Sequence, residues 1–398
     1  MLSKRMLELK PSPTLALAAK AKKLKSEGHD VISLTVGEPD WPSYPKAKEA
    51  GKKAIDENKT TYTPASGIPD LKQAISNLVG KQLGMDIKPT QVTVGSGAKF
   101  IIYTALTAIL DPGDEVILPS PYWVSYPTMV ELAGGVPKIV TCDENQNFKM
   151  TAAQLESSIG PKTKAVLLNS PSNPTGAEYS EQELAALIEV LEKHPNLVII
   201  SDDIYNQLSF NEKALSPHLV QMNKSLFERC ISINGMSKAY SMTGWRIGWA
   251  VGPEAIIKAM GSFQSQTTGA PSSISQWASV SAINDCHAEV EQALKDLKVR
   301  KDFFLDKLAN ISGVKTFSPE GAFYLWINIK DWLGKTYEGE TVADSRKLAE
   351  LLLEKEMLAV VAGQEFGLDG FLRLSFAAST QDLEQATERM TRFCGKLS

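Results

Sequence analysis

The chain predicts an α/β protein with a mostly parallel sheet, and three observations carry that reading. Between residues 91 and about 292, short β-branched runs alternate with helical stretches, the pattern that crossover connections require. Several of those runs are apolar along nearly their whole length, as expected for strands covered by helices on both faces. Turns bearing Gly, Asn or Pro follow their ends, where open α/β sheets bind ligands.

Taken in order, residues 13–25 form an Ala-rich amphipathic helix that Gly28-His29-Asp30 interrupts before an apolar strand over 31–36. That strand stops at Gly37-Glu38-Pro39-Asp40, a loop whose Gly permits close backbone approach to a ligand. Strands are expected at 91–94, 115–118, 136–140, 165–169, 197–201, 230–233 and 246–251, with a helix over 101–110. The last third opens with a charge-rich helix over 289–308. It then mixes strands at 322–329 and 371–375 with helices at 345–355 and 381–393, an α+β pattern. The expected division is therefore 1–46, an N-terminal segment that joins a small domain; 47–292, a large domain; and 293–398, the small C-terminal domain. No internal repeat or low-complexity stretch interrupts it.

At 398 residues, 43% hydrophobic and 22% charged, the chain can bury a sizeable core. A net charge of -4 with no basic stripe argues against a nucleic-acid partner. Cys142, Cys230, Cys286 and Cys394 are scattered, without the spacing of a zinc site or a disulfide framework, so no metal is expected. The polar start Met1-Leu2-Ser3-Lys4-Arg5 lacks the apolar core of a signal peptide, and no run approaches the roughly 20 apolar residues of a membrane span. The expected location is the cytoplasm.

The most informative segment runs from Ile233 to Trp249. Lys238 follows an apolar strand and precedes a small-residue turn, with Arg246 eight positions on. This suits a cofactor that carries both a carbonyl and a phosphate: the lysine forms a Schiff base and the arginine clamps phosphate oxygens. Val94-Gly95-Ser96-Gly97-Ala98-Lys99-Phe100 leads from a strand into a helix whose first amides can hold a phosphate. A nicotinamide fingerprint needs a third glycine where Phe100 stands, so that cofactor is disfavoured. Asn173, in Asn169-Ser170-Pro171-Ser172-Asn173-Pro174-Thr175-Gly176, lies at a strand end where its amide can donate to a phenolate oxygen. Asp202 and Asp203 end a buried strand, and one of them is expected to face inward. A buried carboxylate needs a cationic partner, and a protonated pyridine nitrogen is one; Tyr205 would donate to the same ring's phenolic oxygen. Arg373, in the middle of an apolar strand, offers a planar fork for a carboxylate, from a structural acid or from a substrate.

In these motifs the chain resembles the class I aminotransferases of the pyridoxal-phosphate fold type I, and within them the bacterial aspartate aminotransferases that include aspartate/prephenate enzymes. The resemblance runs from about Lys10 to the C-terminal helix. It passes through Val36-Gly37-Glu38-Pro39-Asp40, Tyr62-Thr63-Pro64-Ala65-Ser66-Gly67-Ile68-Pro69, Asp111-Pro112-Gly113-Asp114-Glu115 and Pro121-Tyr122-Trp123-Val124-Ser125-Tyr126-Pro127. It continues through Asn173-Pro174-Thr175-Gly176, Asp202 to Tyr205, and Ser237-Lys238 to Arg246-Ile247-Gly248.

The resemblance implies a large domain with a mostly parallel sheet between helices, holding pyridoxal 5'-phosphate, and a smaller α+β domain. It makes Lys238 the Schiff-base lysine and general base, Asp202 the partner of the pyridine nitrogen, and Asn173 and Tyr205 the partners of the phenolic oxygen. Trp123 stacks on the ring, and Gly97, Ala98, Ser237 and Arg246 hold the phosphate. Tyr62 matches a tyrosine that crosses to the neighbouring subunit's phosphate, which implies a homodimer with shared sites. Gly37, Trp123, Asn173 and Arg373 match positions at the substrate's α-carboxylate. Lys99 occupies the place of the lysine that reads the side-chain carboxylate in the bacterial subgroup; 267–272, where the better-known subgroup has an arginine, holds none. The implied activity moves an amino group between an L-amino acid, foremost aspartate or glutamate, and 2-oxoglutarate or oxaloacetate. The kinetics would be ping-pong, and Lys238 would have a pKa lowered by burial beside Arg246. Aromatic, alanine or prephenate aminotransferases, or a lyase, are alternatives on the same scaffold; a non-enzymatic sensor is the reading from another class. The chain departs from the family's pattern at Trp41-Pro42-Ser43-Tyr44-Pro45, by the substrate entrance, and at Thr268-Gly269-Ala270-Pro271.

Overall fold

The computed structural model describes residues 1–3, 6, 7, 9 and 13–398. Lys4, Arg5 and Lys10, used above in reading the N-terminus, lie outside the described residues. The first helix is α1 (Pro13–Ser26), followed by the short strand β1 (Ile32–Ser33) and helix α2 (Pro45–Asp56). The central sheet comprises β2 (Val92–Gly95), β3 (Glu115–Ser120), β4 (Val136–Thr141), β5 (Thr163–Asn169), β6 (Val198–Asp202), β7 (Cys230–Gly235) and β8 (Gly248–Val251), with α3 (Ala98–Ile109) after β2. Its strand order is β2-β8-β7-β6-β5-β3-β4, and only β8 runs antiparallel to its neighbours.

The strands carry two apolar faces because successive side chains point to opposite sides. Val116 and Leu118, Ala165 and Leu167, Ile200, Ile231, Ile233 and Ala250 join one core with Ile101, Ile102, Ala105 and Leu106 of α3. Their neighbours Ile117, Val166, Leu168, Ile199, Trp249 and Val251 enter the other core. Burying one aliphatic side chain contributes roughly 1.5–3 kcal/mol, so a one-residue slip that exchanged the faces would disrupt both cores. The chain is thus the α/β fold expected, a mostly parallel sheet between helices.

Several boundaries moved for identifiable reasons. The strand expected at 246–251 starts only at Gly248, because Arg246 has a φ of 57°, in the left-handed region. The helix expected from 101 begins at Ala98, just after Gly97, whose φ of 91° turns the chain into it. The strand expected at 31–36 pairs only over Ile32–Ser33, and the strand expected at 322–329 pairs only over Tyr324–Asn328, after Ala322 at a φ of 57°.

The central sheet is followed by α4 (Glu254–Ser265), α5 (Ser273–Asp285) and the long α6 (His287–Leu308). A second sheet then contains β9 (Lys315–Thr316) and β10 (Tyr324–Asn328), with β11 (Thr336–Tyr337) and β12 (Glu340–Thr341) forming a separate small hairpin. After α7 (Ser345–Glu356) come β13 (Leu358–Ala359), β14 (Val361–Ala362), β15 (Phe371–Ser375) and α8 (Thr380–Gly395). The second sheet has the order β14-β15-β10-β9 and is antiparallel. The N-terminal segment packs against this C-terminal region. β1 pairs parallel with β13, Leu34 accepts from the Ser375 amide at 3.0 Å, and Arg389 on α8 binds Asp30 Oδ2 at 2.6 Å.

The two sheets meet at a backbone joint. The carbonyl of Gly176 accepts from the amides of Glu320 (2.8 Å) and Gly321 (3.0 Å), just before β10. Gly176 has a φ of 69°, and a Cβ there would lie 2.3 Å from Pro319 Cβ and 2.9 Å from the Gly321 carbonyl oxygen. Both strain and clash follow, so Gly176→Ala is expected to cost on the order of 2 kcal/mol or more and to lower the thermal unfolding midpoint. A midpoint equal to the wild type in a calorimetric scan would contradict this account of the joint.

Candidate active site

The register of the central sheet brings the site together. Asn169 at the end of β5 pairs with Asp202 at the end of β6, and Asp202 pairs with Ile233 of β7. Gly235 at the end of β7 lies opposite Gly248, which also lies opposite Gly95 of β2. β8 is antiparallel, so its first residues share this edge with the last residues of β2, β5, β6 and β7. Arg246, Ser237-Lys238 and Gly97-Ala98 therefore converge. The contacts there are tight: a Cβ on Gly248 would lie 2.3 Å from the Ala98 amide nitrogen, and one on Gly97 would lie 2.3 Å from an Arg246 guanidinium nitrogen. Glycine at 97 is thus required twice, by its positive φ and by the arginine. The first amides of α3 open the helix beside that guanidinium, which makes an anion-binding corner.

The edge borders a cavity of about 320 Å³ lined by Gly37, Ala98, Lys99, Trp123, Asn173, Asp202, Tyr205, Ser237, Lys238, Arg246 and Arg373. Of the expected site residues, the cavity gathers all but Gly97, which backs Arg246, and Tyr62. Tyr62 is fully exposed and lies outside its own chain's cavity. The cavity is also lined by Thr35, Tyr126 and Tyr324, which the reading of the sequence did not assign. Tyr126 stood within a quoted motif, and Tyr324 is a tyrosine in an apolar strand, whose hydroxyl must find a partner when buried. Those were the available signals.

Lys238 is enclosed, and its Nζ donates to the Gly37 carbonyl. Its pKa is pushed down to about 8, first by burial, then by the charge of Arg373; Glu38 opposes this, and Arg246 adds less than Arg373. The lowering matches expectation, whereas its main cationic source is Arg373 rather than Arg246, because strand β15 brings the buried guanidinium into the same cavity. Lys238's turn is clamped by the segment where the family pattern changes. Tyr44 donates to the Ala239 carbonyl (2.9 Å), Ser43 to the Ser241 carbonyl (2.7 Å), and Trp245 Nε1 to Ser43 Oγ (3.0 Å).

Both Asp202 and Asp203 are buried, which corrects the expectation that one faces inward. They point to different partners. Asp203 is satisfied by the hydroxyls of Ser201 and Ser232 and lies 3.4 Å from His218 Nε2. Asp202 lines the cavity and accepts from Tyr126 Oη at 2.5 Å and, more weakly, from the Ile204 amide at 3.3 Å. Burial pushes its carboxyl up to about 7 in spite of those two donors. A cation delivered into the cavity would return it to the carboxylate form.

Arg373 is 3% exposed, and among the described residues no carboxylate pairs with it. Its guanidinium donates to Asn173 Oδ1 (3.0 Å) and to the Thr35 carbonyl, while Nε has no partner among the described residues. Leaving a buried cation so poorly paired costs several kcal/mol unless an anion arrives. The bond also occupies the Asn173 oxygen, so its amide nitrogen is left to donate into the cavity. Lys99 lies at the mouth with Nζ 4.9 Å from the Trp123 ring centroid, and burial together with Arg246 lowers its pKa. As a residue Lys99 is exposed in the single chain, so its ammonium is only partly enclosed. Four cations and two acids, Glu38 and Asp202, line the cavity, an excess suited to anionic ligands.

Comparison with known proteins agrees with this chemistry. The pattern of the family described as aminotransferase class I and II matches residues 29–390. The chain is 45% identical over 398 residues to an aspartate/prephenate aminotransferase of Cereibacter sphaeroides, covering 100% of this chain and 99% of that protein. It is 44% identical over 395 residues to an aspartate aminotransferase of Geobacillus stearothermophilus, with 98% of each covered. Among solved structures, the aspartate aminotransferase of Rhizobium meliloti superposes with a TM-score of 0.96 at 40% identity over 100% of both chains. That of Thermus thermophilus with maleate gives a TM-score of 0.92 at 39% identity over 99% of both. This chain therefore belongs to the class I and II aminotransferases, enzymes that transfer an amino group.

Proposed function

We propose that the chain is a pyridoxal 5'-phosphate-dependent aminotransferase that takes aspartate and glutamate as donors and 2-oxoglutarate or oxaloacetate as acceptors. One observation carries the reading: a buried lysine amine shares one cavity with a buried guanidinium that has no carboxylate partner among the described residues. The residues present fit the cofactor. Asp202 needs a cation, which the pyridinium nitrogen supplies; the Gly97-Ala98 turn, Ser237 and Arg246 would hold the phosphate; Asn173 and Tyr205 would donate to the phenolic oxygen, with Trp123 against the ring. Tyr62, exposed in the single chain, would complete the phosphate site of a second copy, so the working unit would be a homodimer with shared sites. The free cysteines support a cytoplasmic location, and no helix among the described residues is long and apolar enough to cross a membrane. A division into 47–292 as the cofactor-binding unit, with 1–46 joined to 293–398, is supported by the β1–β13 pairing.

When bound, pyridoxal phosphate supplies the electron sink that lets the bond to the substrate's α-hydrogen break as a proton transfer. The chain supplies the rest. Arg373, with Asn173 and the Gly37 backbone, grips the α-carboxylate, so the α-carbon is held toward Lys238. Lys238 Nζ, once neutral, takes the α-proton and returns it one position away. Lys99 would read the distal carboxylate of a dicarboxylic substrate. The first oxo acid leaves before the second enters, hence ping-pong kinetics. The C. sphaeroides relative's name supports prephenate as a further acceptor.

Borohydride reduction of the holoenzyme followed by peptide mass mapping is expected to fix the cofactor on Lys238, and Lys238→Ala is expected to fold but to lose turnover by several orders of magnitude. A label elsewhere, or wild-type turnover in that variant, overturns the reading. In the cofactor-free protein, a lysine whose pKa is lowered to about 8 becomes reactive as pH rises through that value, about two units below an ordinary lysine. Reductive methylation read by mass spectrometry should therefore modify Lys238 with a midpoint near pH 8; a midpoint above 10 would show that burial does not act as described. Lys99→Ala should lower kcat/KM for aspartate and glutamate about 10- to 100-fold, the loss of one charge-assisted contact, and leave uncharged donors nearly unaffected. Equal losses for both classes would remove Lys99 from substrate recognition.

A further inference from the structure

We infer that Tyr324 is a positioning residue that sets the hydrogen-bond strength of Tyr205, linking the guanidinium of Arg373 to the cofactor's phenolic oxygen. The inference rests on the cofactor reading given above and extends it to a residue outside the motifs that carried it.

Tyr324 opens β10 and is completely buried. In the antiparallel pairing with β15 it lies opposite Ser375, which places Arg373 diagonally across on the same face. The Arg373 guanidinium carbon is 4.5 Å from the Tyr324 ring centroid. The Tyr324 hydroxyl is 2.8 Å from the Tyr205 hydroxyl, where either oxygen can donate. It also presses on the Gly37 turn, since a Cβ on Gly37 would lie 2.4 Å from that hydroxyl oxygen. Gly37 is therefore a glycine on account of Tyr324, and the carbonyl that holds Lys238 Nζ is positioned by the same contact.

Counting protons decides the direction of the bond. Each phenol has a single hydrogen. If Tyr205 spends its hydrogen on the phenolic oxygen of the cofactor, the hydrogen between the two tyrosines must come from Tyr324. The neighbouring Arg373 charge favours the same assignment, because a cation stabilises the phenol that gives its proton away. A donor that itself accepts a hydrogen bond is polarised and donates more strongly. Tyr324 thus strengthens Tyr205 without touching the reacting atoms. The other charged or titratable groups lining the cavity beside Arg373 are Lys99, Lys238, Arg246, Asp202, Tyr126 and Glu38, and Tyr324→Phe leaves each of these side chains in place.

The cofactor–lysine chromophore reports this directly. Its nitrogen loses a proton as pH rises, which leaves the negative charge on the phenolic oxygen unneutralised; stronger donation to that oxygen stabilises the deprotonated form and lowers the midpoint. In Tyr324→Phe holoenzyme the spectroscopic midpoint is expected to move up by about half a pH unit or more, the scale of one lost neutral hydrogen bond. In a Tyr205→Phe background, the same change should produce no further shift. As an independent arm, 3-fluorotyrosine placed at 324, a more acidic phenol, should move the midpoint down. The proposal is overturned if Tyr324→Phe titrates like the wild type, if its shift persists undiminished in the Tyr205→Phe background, or if the fluorinated residue moves the midpoint up or not at all. A wild-type holoenzyme with no such titration, or with the borohydride label away from Lys238, defeats the cofactor reading as well; an unmoved Tyr324→Phe against a normal wild type defeats only this one.

Discussion

Two ionisable groups held in one cavity with incomplete partners, the carboxyl of Asp202 and the guanidinium of Arg373, constrain everything around them. Among the described residues neither is balanced by an ion pair: Asp202 relies on Tyr126 and one distant amide, and Arg373 on two neutral oxygens. Such a pair of sites is costly in the isolated chain and becomes favourable when ligands bring a cation to one and an anion to the other. The same low-dielectric surroundings depress the Lys238 amine to about 8, so binding and proton transfer draw on one physical cause.

The scaffold tolerates this cost because the polar edge stands on two apolar cores. Alternate residues of β3, β5, β6 and β8 feed the opposite faces of the sheet, so the strand ends are held by two apolar cores, which also take in Tyr205 and Tyr324 on one side and Tyr126 on the other. Contacts at the edge can then be close enough that several positions admit only glycine, as at Gly97 against Arg246 and Gly248 against the Ala98 amide. The second sheet contributes Arg373 and Tyr324 from paired strands, and the Gly176 joint fixes where that sheet meets the first.

Much of this was legible in the residues. Apolar runs with helical intervals sufficed for the sheet, and Lys238, Arg246 and Asp202 stood out because ionisable side chains at the ends of buried strands need a chemical reason to be there. Other features were not legible. The left-handed backbone at Arg246 reads as strand in the sequence, since Ile247 and Trp249 around it are strand formers; only the turn reveals why the guanidinium lies over Gly97. Asp202 and Asp203 look alike as neighbours, and it took the serines of β6 and β7 and His218 to show that one is structurally satisfied while the other faces the cavity.

By itself, the sequence determined the fold class, the order of the elements and the identity of the groups able to do the chemistry, because hydrophobic period and residue type are local properties of a chain. Tertiary structure alone decided which groups share an environment. Arg373 lies 135 positions beyond Lys238 in the chain yet outranks Arg246, eight positions away, in lowering the lysine's pKa, and Tyr324 meets Tyr205 across 119 residues. Strand register and burial set those distances, and electrostatic and hydrogen-bond strengths depend on distance and solvent exclusion rather than on separation along the chain.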